Sequence, residues 1–130
     1  MIPGLVSPGR APLLSLRVLG MAGAEEVVTA TVDTGFTGYL TLPATVIARL
    51  GLLYTRTRMT TLADGRTVPI RVYAGAVDWH GQPRGVLVAA TASEPLVGMT
   101  LLEDSELWLD CQPGGAVEIT QTLPPPAPAP

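Results

Sequence analysis

From residue 13 onward, apolar and β-branched residues come in short runs, several alternating with polar residues, and Gly/Pro-containing segments separate one run from the next. A period of two broken by frequent turns predicts an all-β domain. Residues 13–19 (LLSLRVL) read as a first strand, and 20–26 as the loop that returns it. A second strand, 27–32 (VVTATV), runs directly into Asp33-Thr34-Gly35, and a short third strand, 39–42, stops at Pro43. The spacing of Val46, Ile47 and Leu50, with Thr41 or Pro43 near the start and Gly51 just past the end, predicts one short helix. At about two turns it depends on packing for its stability.

Two extended segments follow, 55–62 and 68–79, separated by Ala63-Asp64-Gly65-Arg66. Asp-Gly between such runs is a strong hairpin signal with positive φ in the turn. A second turn at 80–84 leads to a strand at 85–91. Pro95-Leu96-Val97-Gly98 then enters 99–106, read as a short helical stretch carrying three acids, and 107–111 pairs with 116–120 in a last hairpin. Residues 1–121 thus form one domain. Residues 122–130 read as an extended, mobile Pro/Ala-rich tail, since proline has no N–H to give a ladder.

Composition narrows the class further. With 14 Gly and 13 Pro in 130 residues, a helical bundle is excluded, and 47% hydrophobic against 15% charged residues suits a single core. All 8 basic residues are Arg, and the net charge is −3. They are scattered from Arg10 to Arg84, so neither the basic stripe of a nucleic-acid binder nor a polybasic membrane patch is visible. No run approaches the roughly 20 apolar residues of a membrane span. Residues 1–20 have no basic leader and are interrupted by Pro3, Pro8 and Pro12, which points to the cytoplasm. Cys111 and His80 are single, leaving no disulfide and no Cys/His metal cage within one chain, and no metal or cofactor is expected.

The stretch that carries chemistry is Val32-Asp33-Thr34-Gly35-Phe36-Thr37-Gly38, at the end of an apolar strand. Asp, a small hydroxyl residue and Gly allow a tight turn that leaves the carboxylate accessible while backbone amides hydrogen-bond nearby groups. The tripeptide alone also occurs as a plain turn. Its context is more specific: hydrophobic-Asp-Thr-Gly, then a hairpin with Asp64-Gly65 at its tip, then Leu96-Val97-Gly98 and a short helix.

In this order the chain, over about residues 13–120, resembles the retroviral-type (retropepsin-like), single-domain aspartic proteases. The 43–52 helix segment ending in Leu-Gly-Leu is closer to bacterial and pepsin-type relatives. The resemblance implies a small closed β-barrel with one or two short helices and a flap hairpin. It implies Asp33, Thr34 and Gly35 as the catalytic loop, and Leu96, Val97 and Gly98 as its structural support. Phe36, Thr37, Ala63, Asp64 and Gly65 would lie at the substrate. Viral members usually carry Ala and an acid after the motif Gly and Arg after the second Gly. Phe36, Thr37 and Met99 stand there instead, so viral substrate anchoring does not transfer.

Aspartic proteolysis needs two carboxylates sharing one proton, one as base toward a water and one as acid. A chain with one motif reaches that number as a C2 homodimer, Asp33 beside its copy. The implied activity is therefore a homodimeric aspartic endopeptidase acting on a peptide or protein. Thr34 would bond across the axis, Gly35 would admit the substrate backbone, and the hairpin around 59–73 would fold over it. The competing readings are a catalytically silent protease-fold dimer used for peptide binding or assembly, and a phosphoryl-transfer Asp. The second is disfavoured by the absence of Lys and of a βαβ pattern. Asp64 reads as turn chemistry and not as a second catalytic acid. Phe36 reads as narrowing the cleft or filling core, Cys111 as a core residue, Trp79 and Trp108 as core or interface anchors, His80 as a solvated loop residue, and Glu103, Asp104 and Glu106 as a solvated helix face.

Overall fold

A computed structural model describes residues 1–122. The expected tail lies outside the described residues apart from Thr122, whose amide donates to the Asp104 carbonyl (2.8 Å). The chain is mostly β-sheet: β1 (Ile2–Val6), β2 (Pro12–Leu19), β3 (Glu25–Val32), β4 (Leu40–Pro43), α1 (Ala44–Leu50), β5 (Leu53–Thr61), β6 (Thr67–Trp79), β7 (Gln82–Thr91), β8 (Leu96–Val97), α2 (Met99–Leu102), β9 (Ser105–Leu109) and β10 (Ala116–Gln121). The strands form one sheet in the order β5-β6-β7-β4-β8-β3-β2-β1-β10-β9. A further pairing of β2 with β6, Val18 opposite Val77 and Leu19 opposite Ala76, closes six of these strands into a ring. Among the described residues no helix is long and apolar enough to cross a membrane.

The period of two in the sequence becomes the inside and outside of this ring. Leu14, Leu16 and Val18 of β2 and Val28, Ala30 and Val32 of β3 are buried, while Ser15, Arg17 and Thr29 between them are exposed. Each buried Leu or Val among them contributes about 1.5–3 kcal/mol by leaving water. Helix α1 buries Val46, Ile47 and Leu50 on the same core. Gly51 ends it at φ 65°, with its amide on the Ala48 carbonyl and Leu52 reaching back to Ile47, the paired closure for which glycine is favoured. Arg49 grips Glu26 of β3 through two hydrogen bonds (2.6 and 3.2 Å), tying helix to sheet.

Several expectations are corrected. The N-terminal segment is a strand: β1 lies between β10 and β2, with Pro3 opposite Glu118 and outside the part that pairs with β2. Helix α2 stops at Leu102 because 105–109 alternates and pairs with β10, and Asp104 takes φ 62° at the turn. Glu103 and Asp104 are thus turn residues, and Glu106 is exposed on a strand. Trp108 is 55% exposed on the outer face of that edge strand, and Cys111 is exposed, so neither is core; Trp79 is buried.

His80 and Gly81 join β6 to β7 with φ of 53° and 81°, a two-residue hairpin turn of type I′. His80 is half-buried instead of solvated. Its Nε2 lies 3.0 Å from the Ser105 hydroxyl and its ring meets Trp79 edge-on. Burial, and then the nearby N-terminal ammonium and Arg84, hold its pKa below the usual 6.5.

Strand β8 lies between β3, to which it is parallel, and β4, to which it is antiparallel. Consecutive β3 and β4 therefore do not touch as neighbours, and their connecting loop wraps around β8. Gly98 is where the two meet: a Cβ there would fall 2.3 Å from the Gly38 carbonyl oxygen and 2.6 Å from the Phe36 ring.

Two predictions follow from these contacts. Gly98→Ala should cost about 3 kcal/mol in urea unfolding, because backbone must shift. Gly85→Ala, in a strand with open space at the added carbon, should stay within about 0.5 kcal/mol; equal costs would contradict the packing. For His80 the unfolded chain binds the proton more readily, so stability is full above about pH 6.5 and falls as pH drops through the lower folded value. His80→Asn, which tolerates positive φ, should flatten the change in Tm between pH 7 and 5.

Candidate active site

Asp33 is placed by the last rung of the β3/β8 pairing, where its amide donates to the Val97 carbonyl (2.9 Å). The chain then turns, the Phe36 amide reaching the Asp33 carbonyl (3.1 Å), and the Gly35 amide donates to Asp33 Oδ1 (2.8 Å). One carboxylate oxygen is thereby oriented. The other has no hydrogen-bond partner among the described residues, and the side chain is half-buried. Thr34 and Gly35 are exposed.

The loop beyond the turn is held from the far end of β8. Gly98 N donates to Tyr39 O (3.0 Å), Met99 N to Phe36 O (2.8 Å) and Thr100 N to Gly38 O (3.1 Å), while the Thr100 hydroxyl donates to Thr37 O. Every carbonyl from Phe36 to Tyr39 has a donor. The first amides of a helix have no partner within it, and those of α2 are spent on this loop. On the other side of α2, Arg84 of β7 donates to the Leu101 (2.9 Å) and Thr100 (3.3 Å) carbonyls. The short helix is thus fixed at both ends.

The structure brings Asp33, Thr34, Gly35, Phe36 and Thr37 together with Leu96, Val97 and Gly98. Phe36 is half-buried, against Gly38 and Gly98, and it also lines a cleft of about 210 Å³ with Thr37, Tyr39, Val72, Arg56 and Arg58. It serves as packing residue and cleft wall at once. The β5–β6 hairpin, the expected flap, contributes Arg56, Arg58 and Val72 to that cleft, but not its tip.

Ala63, Asp64 and Gly65 are exposed, and no hydrogen bond joins them to the Asp33 loop among the described residues. The tip is a three-residue turn: Gly65, at φ 85°, donates to Leu62, and Leu62 to Arg66. Asp64 is occupied there by the Arg66 amide (3.0 Å) and guanidinium (2.6 Å), which together hold its carboxyl below the usual range.

Four residues of the site lay beyond the sequence reading. Thr100 and Arg84 act through backbone carbonyls, for which the sequence carries no motif. Arg56 and Arg58 had a signal in hindsight, since cations two apart in a strand share a face, but only the register shows which face. Asp33 stands alone: among the described residues there is no cluster of three or more His, Cys, Asp or Glu side chains able to hold a metal. No protein-family model matches the chain, and no curated protein or solved structure matches it either.

Proposed function

We propose that the protein is an aspartic endopeptidase whose active site forms across a homodimer. The observation that carries this reading is the construction around Asp33: an accessible carboxylate on a loop with each carbonyl from Phe36 to Tyr39 tied to the segment that follows Leu96-Val97. Such rigidity is needed if two carboxylates are to meet at fixed separation, because orientation errors of about 1 Å cost large factors in rate. The six-strand ring with a hairpin beside the loop supports a small barrel of the acid-protease type.

In the proposed mechanism a two-fold axis places Asp33 beside Asp33 of a second copy. At about 3 Å the pair holds one proton between two carboxyl groups. The ionised member takes a proton from a water as it attacks the peptide carbonyl, and the protonated member donates to the carbonyl oxygen. The proton then passes to the leaving amine. Oδ1 is kept in place by the Gly35 amide, leaving the other oxygen for this exchange. Thr34, exposed beside it, is available to bond across the axis. The hairpin offers an edge strand to an extended peptide.

Asp33→Asn should lower peptide hydrolysis at least about a thousandfold while leaving the circular dichroism and sedimentation of the wild type. Robust cleavage by the Asn variant would overturn the assignment. A folded dimer that binds peptides but cleaves none from pH 3 to 7 would instead select the silent module. Because each site needs two chains, specific activity should fall on dilution below the dimer dissociation constant; a sedimentation monomer with undiminished specific activity would exclude a shared site.

A further inference from the structure

Half of the eight arginines fall on one hairpin. Arg56, Arg58, Arg66 and Arg71 lie on the β5–β6 hairpin, in a chain whose net charge is −3. Arg66 is neutralised by Asp64, and Asp78 at the far end of β6 faces Arg17 at 4.0 Å. Arg56 and Arg58 have no ion-pair or hydrogen-bond partner among the described residues.

The register gives these two cations a direction. Arg56 stands opposite Val72 and Arg58 opposite Ile70, so both share the face that carries Val72. That face is turned toward the Asp33 loop: Val72 is 3% exposed, and the cleft beneath it is shared by Arg56, Arg58, Phe36, Thr37 and Leu87. Residues two apart on a strand are separated by about 6.6 Å, so one carboxylate can lie between the two guanidinium groups or pair with either in a fork. Apolar walls beside the cations complete a site for an acidic side chain next to an apolar one.

We propose that this cleft is an anion subsite selecting extended peptides with a Glu or Asp side chain near the bond held at Asp33. As a statement about substrates it rests on the protease reading; as a statement about binding it does not. The two cations are unneutralised without a ligand, and a peptide carboxylate neutralises them at the mouth of the cleft.

The test uses the full chain carrying Asp33→Asn, which binds without turnover, and apolar fluorescent peptides in which a single Glu or its isostere Gln is walked along the sequence. At pH 6 and low salt the best Glu peptide should bind about tenfold more tightly than its Gln twin. The gap should close below about pH 4, where the peptide carboxyl is protonated, and shrink with salt. Adding Arg56→Gln and Arg58→Gln should bring the ratio to about one. Adding Arg56→Glu and Arg58→Glu should turn preference toward Lys peptides, a gain that a misfolded chain cannot show. Equal affinity for every Glu and Gln pair, including no measurable affinity for either, overturns the subsite, as does a gap that survives the double Gln change. Selective binding with no cleavage by the wild type removes the protease and leaves the subsite. Cleavage of both twins with equal kcat/KM removes the subsite and leaves the protease.

Discussion

The local architecture depends on the amides of Gly98, Met99 and Thr100 finding the carbonyls of Tyr39, Phe36 and Gly38. A four-residue helix is too short to be stable by itself, and a loop that turns away from a strand end leaves carbonyls without a ladder. Each deficit satisfies the other. The contact is possible because Gly98 has no side chain, so that two backbones approach to a distance at which a methyl group has no room. The ring of Phe36 and the loop's side of the cleft take their position from this joint, while Asp33 itself is set by the β3/β8 pairing and its own turn.

The same joint explains why a mostly β chain keeps a helix there at all. Arg84 takes two carbonyls from the exit of α2, so β7 holds the end of the helix that the loop does not. Charge-assisted hydrogen bonds are stronger than neutral ones. Loop, helix and β7 are thus joined by hydrogen bonds, whereas the hairpin residues from Thr67 to Arg71 pair only with the edge strand β5.

How much of this was legible follows from the range of each interaction. Strands β2 and β3, helix α1 and the two hairpin turns were readable because their signals are local: alternation at Leu14, Leu16 and Val18, a glycine after Leu50, Asp-Gly at the tip. Strand β1 was missed because Pro3 reads as an interruption when no partner is known, yet β10 supplies a register that needs no amide from it toward β2. Helix α2 was drawn too long because acids after Leu102 prolong a helical reading, whereas pairing of Leu107 with Ile119 decides the matter from outside. Two further residues depart from the core reading for different reasons: Trp108 lies on the outer face of an edge strand, which only the sheet order decides, and Cys111 sits in the loop after that strand. Asp33 was found as a candidate by its motif, but the donors that fix its loop come from residues without one.

The Thr37–Thr100 contact joins positions 63 apart in the chain, and that separation sets an order of events. Local hairpins such as β5–β6 can close early, while pairings across long loops carry the larger entropy of closure and come late. By that reasoning the loop that presents the carboxylate is expected to be seated after the β5–β6 hairpin has closed. A fragment ending before residue 98 has the Asp-Thr-Gly tripeptide and the hairpin but none of the three amides that hold the Phe36–Tyr39 loop.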